Sequence, residues 1–105
     1  MNVAGTVVEE ESGKPIQGLL VRAYDKDLIF SDKLGDVLTD AQGKFDIRFT
    51  EAQFRDFGET TPDLFIRVYD ASGKKLLYTT EKAVRKDAQV REYFEVKIPK
   101  AKLSA

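Results

Sequence analysis

Apolar and polar residues alternate with a period of two along four stretches of the chain, which is the pattern of strands with one buried face. The expected inward positions are Leu19, Val21 and Ala23; Phe45, Ile47 and Phe49; Leu64, Ile66 and Val68; and Phe94, Val96 and Ile98. Glycine-containing segments lie between these stretches, and we interpret residues 11–15, 40–44 and 70–74 as hairpin-type connections. Residues 50–57 alone favour a helix, since Thr50 and Gln53 form a capping box.

The pattern predicts an all-β fold, namely a two-sheet antiparallel β-sandwich of about seven strands with one short helix near residues 50–57. A chain of 105 residues can bury one hydrophobic core. We therefore expect residues 1–99 to form a single domain and residues 100–105 to be a C-terminal tail.

Two of the expected strands share a short sequence similarity, Val-Arg-Ala-Tyr-Asp at residues 21–25 and Ile-Arg-Val-Tyr-Asp at residues 66–70. Strand alternation alone generates such matches. We interpret both as core strands with an outward arginine and tyrosine and an aspartate that starts the next turn, and we do not infer a duplication.

Composition changes this picture little. Hydrophobic residues make up 42% of the chain, and 17 basic side chains balance 18 acidic ones, so we expect no nucleic-acid partner. The basic stretch Lys82–Arg91 contains Asp87 and has no interleaved aromatic residues, which favours a solvated connection. The N-terminus shows no signal-peptide pattern. We expect a cytoplasmic chain, or a segment of a larger protein, a secreted one included.

Three motifs in order carry a resemblance to a known family. They are the first strand Gly5-Thr6-Val7, the stretch Ser12-Gly13-Lys14-Pro15-Ile16-Gln17-Gly18 with the strand after it, and Thr39-Asp40-Ala41-Gln42-Gly43-Lys44-Phe45. In this order they resemble the carboxypeptidase regulatory-like, transthyretin-like domains, and a bacterial subgroup in particular. The resemblance covers residues 3–70 best. It implies a transthyretin-like sandwich that serves as an accessory module for a neighbouring domain.

Enzymes that resemble this fold depend on histidine. The transthyretin-like ureide hydrolases use histidines and a C-terminal Tyr-Arg-Gly-Ser, and the intradiol dioxygenases hold iron with two tyrosines and two histidines. The chain contains no histidine, so neither type of site can form. Its serines have no glycine elbow around them, and its carboxylates lie in a domain too small for a sugar cleft. We therefore expect no enzymatic activity.

Residues 25–36 contain four aspartates in a stretch that we interpret as a long loop closing one end of the sandwich. Calcium takes about six to eight oxygen ligands, so Asp25, Asp27 and Asp32 are the candidate metal ligands. The Asp-x-Asp spacing resembles the calcium loop of C2 domains, although the step from Asp27 to Asp32 is one residue shorter than usual. A second aspartate-bearing loop at the same end would be needed to complete the ligand set. Asp70 is the obvious donor, but it should lie at the opposite end of the sheet because its strand would run antiparallel to the strand of Asp25.

Two alternatives stay open for this loop. Asp27 and Asp32 can form Asx-turns in a solvated connection, with lysines neutralising them. The three apolar residues Leu28, Ile29 and Phe30 can form an exposed tip that binds a protein partner, or they can fold back and close the end of the sandwich.

The sequence as a whole predicts a non-catalytic accessory or binding module whose partners are neighbouring domains or another protein. A membrane partner is not expected, and no cofactor is expected other than calcium. The alternative function is a calcium-dependent binding domain that uses the Asp25–Asp36 loop.

Overall fold

The computed structural model describes residues 1–26, 31–50 and 62–103. The described strands are β1 (Asn2–Glu9), β2 (Leu20–Lys26), β3 (Ser31–Leu38), β4 (Lys44–Arg48), β5 (Leu64–Tyr69), β6 (Leu76–Thr79) and β7 (Arg91–Ile98). A 3₁₀ turn spans Glu81–Ala83, and a short helix, α1, spans Lys100–Leu103. None of the described helices is long and apolar enough to cross a membrane.

The strands form two sheets that pack as a sandwich, as the sequence predicted. Sheet A has the order β4-β1-β7, and sheet B has the order β3-β2-β5-β6. The prediction of a wholly antiparallel sandwich was wrong in one respect, because β1 and β7 pair in parallel. Parallel neighbours need a long connection, and nearly the whole chain lies between these two strands.

The core between the sheets consists of the predicted inward rows. All twelve side chains of those rows are buried, each with at most 8% of its surface exposed. β1 contributes Val3 and Val7 to the same layer, and Leu34 of β3 is also buried. Alternation in the sequence therefore located the core correctly on four strands.

Two turns share an aspartate followed by a glycine with positive φ. Asp40 Oδ1 accepts the backbone N–H groups of Gln42 and Lys44, and Gly43 has φ 71°. The turn that begins at Asp70 repeats this arrangement and joins the paired strands β5 and β6, so the hairpin predicted there is confirmed. The hairpin predicted at residues 40–44 was wrong, because that turn carries the chain from β3 in sheet B to β4 in sheet A.

The stretch predicted to be a long loop is largely a hairpin. Asp25 lies inside β2, and β3 begins at Ser31, so the β2–β3 connection is short. Strand β3 was missed because it is polar and irregular, with a bulge opposite the Ala23–Tyr24 step. The helix predicted near residues 50–57 lies almost wholly outside the described residues. The expected C-terminal tail contains α1, whose Leu103 packs against the core.

Candidate functional site

Asp25 is a buried carboxylate near the end of β2. Its side chain is inward because it shares the alternation of Val21 and Ala23, and it is 2% exposed. Its Oδ1 accepts the backbone N–H of Asp63 at 2.9 Å, and the N–H of Lys26 donates to the carbonyl oxygen of Asp63 at 2.8 Å. Asp25 therefore fixes the chain that enters β5, whereas the sequence suggested that it would start a turn.

Two of the predicted metal ligands lie together. Asp32 of β3 is the register partner of Asp25, and directly opposite residues of antiparallel strands project to the same face of the sheet. The third ligand, Asp27, and the apolar residues Leu28, Ile29 and Phe30 lie outside the described residues. Within the described part of the chain, no three acidic side chains are grouped as a metal site.

Two further aspartates considered in the sequence, Asp36 and Asp70, lie away from Asp25 and Asp32. Asp36 lies on the outer face of sheet B, where Arg22 Nε approaches it at 3.1 Å and Lys33 Nζ at 2.9 Å. Asp70 lies at the opposite end of sheet B from Asp25, since Asp25 pairs with Leu64 and the other end of β2 pairs with Tyr69. This arrangement of Asp25 and Asp70 was predicted correctly.

A second group of side chains emerges on the outer face of sheet B, and we call it the Arg–Tyr cluster: Arg22, Tyr24, Arg67 and Tyr69. It consists of the two Arg-x-Tyr sequences. Because β2 and β5 are antiparallel, Arg22 and Arg67 are directly opposite each other and the tyrosines lie at the two ends. The sequence similarity therefore gives a nearly two-fold arrangement across the strand pair.

The aromatic rings of the cluster lie over the arginines. The two tyrosine hydroxyls meet at 3.3 Å. The guanidinium carbon of Arg22 is 5.3 Å from the centroid of the Tyr69 ring, and that of Arg67 is 5.0 Å from the centroid of the Tyr24 ring. Tyr24 also stacks on Phe65, with the ring centroids 5.0 Å apart. These contacts are within the range of cation–π attraction and of aromatic stacking.

Two carboxylates flank the arginines. Asp36 pairs with Arg22 and Lys33, and Glu81 pairs with Arg67 through Nη2. Among the described residues, these ion pairs contain three cations and two anions, which is one positive charge in excess. The hydrogen bond from Lys33, with further help from Arg22, holds the pKa of Asp36 below its usual value despite the opposing effect of burial.

The two phenols differ in acidity. Burial alone would raise the pKa of Tyr24, but the hydrogen bond with Tyr69 and the guanidinium of Arg22 outweigh it and leave the pKa below the usual value of 10.0. Burial and the Tyr24 hydroxyl raise the pKa of Tyr69 above that value, against the opposing effect of Arg67. The two hydroxyls contact each other, so ionisation of one phenol opposes ionisation of the other, and the pKa of Tyr24 is the lower of the two.

The sequence predicted outward arginines and tyrosines and assigned them no role. All four lie on the outer face of sheet B, but Tyr24 is only 8% exposed, so it is buried there. The missing information was the register between β2 and β5, which brings Tyr24 and Tyr69 together although they are 45 positions apart in the sequence. A repeated Arg-x-Tyr on two strands that pair was the available signal.

An open groove of about 580 Å³ lies along β1 and β4 and reaches the end of β3. Its walls include Tyr93 and Leu38, which are 55% and 52% exposed. The Tyr93 hydroxyl forms a hydrogen bond with Thr6 Oγ1, which holds the ring along the outer face of sheet A. The groove thus combines two exposed apolar side chains with a polar rim.

Comparisons with known proteins bear on the fold. No family model and no curated protein matches the chain. The chain is similar to part of a solved structure, a 9R-lipoxygenase from Cyanothece PCC8801, with a TM-score of 0.67 and 22% sequence identity. The similarity covers 90% of this chain and 16% of the lipoxygenase chain. The sandwich fold therefore also occurs as a small part of a much longer protein.

Proposed function

We propose that this chain is a non-catalytic accessory or binding module that works beside other domains or another protein. The observation that carries the proposal is the similarity of 90% of the chain to 16% of a far longer enzyme chain. A sandwich of this size has the dimensions of one domain within a larger polypeptide, and we assign it a supporting role by analogy of fold.

The proposed family is that of the carboxypeptidase regulatory-like, transthyretin-like domains. Its support is the position of the motifs in the fold. Pro15 forms an isolated bridge with Val8 just after the turn that ends β1, and the Thr39–Phe45 motif forms the turn from β3 into β4. Gly13 and Gly43 of the resemblance thus lie in chain reversals with positive φ, where glycine geometry is needed, whereas Gly5 lies within β1.

The groove beside Tyr93 and Leu38 is the surface that we assign to protein contact. Aromatic residues are enriched at interfaces because one large ring supplies contact area at a small entropic cost. The rim residues Lys44, Asp46 and Asp40 provide both signs of charge around these apolar side chains.

The test of the non-catalytic assignment is a turnover assay with ester, glycoside, phosphoester and peptide substrates. We expect no turnover above that of a heat-denatured sample. Turnover that saturates with substrate and is abolished by one substitution in a folded variant would contradict the proposal, because contaminating activity would not follow the variant.

A calcium-dependent binding domain is the second candidate, and the specific observation in its favour is the buried Asp25 beside Asp32. Calcium at a hundredfold excess over its dissociation constant would stabilise the fold by about 2.7 kcal/mol. Melting curves in calcium and in chelator measure this directly. Asp32→Asn should abolish the calcium-dependent rise in melting temperature. Asp70→Asn, at the other end of sheet B, should leave that rise unchanged. Equal melting temperatures in calcium and chelator would rule out this function.

A further inference from the structure

Arg22 and Arg67 face each other directly across β2 and β5, in an arrangement that is unfavourable by itself. Like charges at opposite positions of an antiparallel pair destabilise it. The flanking carboxylates Asp36 and Glu81 offset the repulsion only in part, since Lys33 shares Asp36 with Arg22. The described side chains of the site therefore carry a net positive charge that an anionic ligand would neutralise.

The arginines also have donor groups left over. A guanidinium carries five N–H donors. Arg22 uses Nε toward Asp36, and Arg67 uses Nη2 toward Glu81. Both contacts involve a single nitrogen, and the two side chains are 26% and 30% exposed. Each arginine also forms a hydrogen bond with a tyrosine of the cluster, Arg22 with Tyr24 and Arg67 with Tyr69. The N–H groups that are still left over on the exposed part of each side chain can reach a ligand from solvent.

The two tyrosines add hydrogen-bonding groups to the site and restrict the arginine side chains. Their hydroxyls meet at 3.3 Å, so one donates to the other and the accepting hydroxyl keeps its own O–H to donate to an anion. Their rings lie over the arginines and restrict the guanidinium positions, which reduces the entropy lost on binding. Despite burial, the same contacts with Tyr69 and Arg22 lower the pKa of the Tyr24 phenol, as expected where the surroundings stabilise negative charge.

We propose that the Arg–Tyr cluster is a binding site for a tetrahedral oxyanion, a phosphate or sulfate group held between Arg22 and Arg67. Phosphate is a group that the guanidinium fork matches, and its four oxygens can accept N–H donors from both arginines, which lie opposite each other on two strands. The site does not depend on whether the chain is an accessory module. It gives the protein a ligand class and a recognition surface on sheet B, away from the groove on sheet A.

The experiment is a titration of the whole chain with inorganic phosphate, followed by backbone NMR and by thermal melting, with chloride at matched ionic strength as the reference. We expect saturable shifts of the amide signals of residues 22–24 and 67–69 and a rise in melting temperature beyond that in chloride. Arg22→Gln and Arg67→Gln should each weaken binding by about tenfold or more, as expected from the loss of charge-assisted hydrogen bonds.

Matched variants separate the effect of this site from a general effect of charge. Arg91→Gln removes an exposed arginine from sheet A and should bind phosphate as the original protein does. Tyr24→Phe keeps the ring and removes the hydroxyl, so a smaller loss of affinity is expected. If Arg22→Gln does not fold, Arg22→Lys retains the charge but loses the fork of donors and should still weaken binding.

Two further titrations distinguish the source of the oxyanion. Tighter binding of phenyl phosphate than of inorganic phosphate would indicate an esterified group on a larger ligand, and the reverse order would indicate the free ion. Stabilisation by phosphate equal to that by chloride, or an equal loss of binding in Arg91→Gln and Arg22→Gln, would overturn the proposal. Hydrolysis of phenyl phosphate would count against the non-catalytic assignment and not against the site.

Discussion

Gly5 of β1 packs against the ring of Phe45, its register partner on β4. A Cβ atom at Gly5 would lie 2.7 Å from Cζ and 2.9 Å from Cε1 of that ring, and it would also overlap the carbonyl oxygen of Phe94 on β7. Contacts this short do not occur without displacement of the neighbours. At Gly5, in the middle of sheet A, there is therefore no room for a side chain.

Gly5→Ala should lower the free energy of unfolding by about 2–3 kcal/mol, because an added methyl group forces a packed core to move. Denaturation by urea measures the change. Gly13→Ala is the control, since its φ is 72° and nothing lies near the added Cβ atom. Backbone strain alone should cost that variant about 1 kcal/mol. A loss at Gly5 no larger than the loss at Gly13 would contradict the steric argument.

Alternation along the chain was enough to find the core because burial of one strand face is a local property of the sequence. Phe45, Ile47 and Phe49 are all buried, and so are the rows of the three other predicted strands. Local turn chemistry was equally visible in the aspartate and glycine of residues 70–73. Pairing was not visible, since β3 and β4 join across a turn of the same type and yet belong to different sheets.

The strand β3 shows why part of the candidate site escaped prediction. Its sequence Ser-Asp-Lys-Leu-Gly-Asp-Val-Leu contains one fully buried side chain, Leu34, and the register with β2 shifts beside it. Strand structure there depends on hydrogen bonds with β2 and not on alternation. The grouping of Asp36 with Arg22 follows from the same register, so it could not be derived from a sequence in which these residues are 14 positions apart.

Asp25→Ala should destabilise the fold by about 1–3 kcal/mol, because the N–H of Asp63 loses its buried acceptor. Asp25→Asn keeps an acceptor oxygen and should cost less. The comparison is made in chelator so that metal binding does not contribute. Hydrogen exchange gives the specific readout: the amide of Asp63 should exchange faster in Asp25→Ala, whereas amides in β7 should change only as far as global stability does.

Arg85 secures the edge of the sandwich beside β7. Its backbone forms a bridge with Leu64 of β5. Its Nη1 donates to Glu92 Oε1 at 2.9 Å and to the carbonyl oxygen of Tyr93 at 2.8 Å. The guanidinium carbon lies 3.8 Å from the centroid of the Phe94 ring. Lysine cannot reproduce this planar contact.

Arg85→Lys should therefore lower the free energy of unfolding by about 1–2 kcal/mol. Lys86→Ala changes the exposed neighbouring residue and should stay within about 0.5 kcal/mol of the original protein. Chemical denaturation of both variants tests the assignment, which fails if Arg85→Lys is as stable as Lys86→Ala.

Tyr24 should be the tyrosine of the Arg–Tyr cluster that ionises first as the pH rises. Its pKa lies below 10.0 in the folded chain, whereas the pKa of Tyr69 lies above it. A group whose pKa is lowered by folding releases its proton more readily in the folded state, so ionisation of Tyr24 favours folding. The stability advantage of the original protein over Tyr24→Phe should consequently grow as the pH rises through the Tyr24 pKa toward 10.

Ultraviolet absorbance of the phenolate follows the titration, and melting curves at neutral and alkaline pH follow the stability. Tyr24→Phe should remove the ionisation step that Tyr24 contributes below pH 10.0. Tyr93→Phe, on the outer face of sheet A, should leave that step in place. Arg22→Gln should move the step toward higher pH, since it removes a guanidinium that favours the phenolate. Survival of the step in Tyr24→Phe and its loss in Tyr69→Phe would contradict the assignment, because Tyr69 would then be the phenol that ionises first.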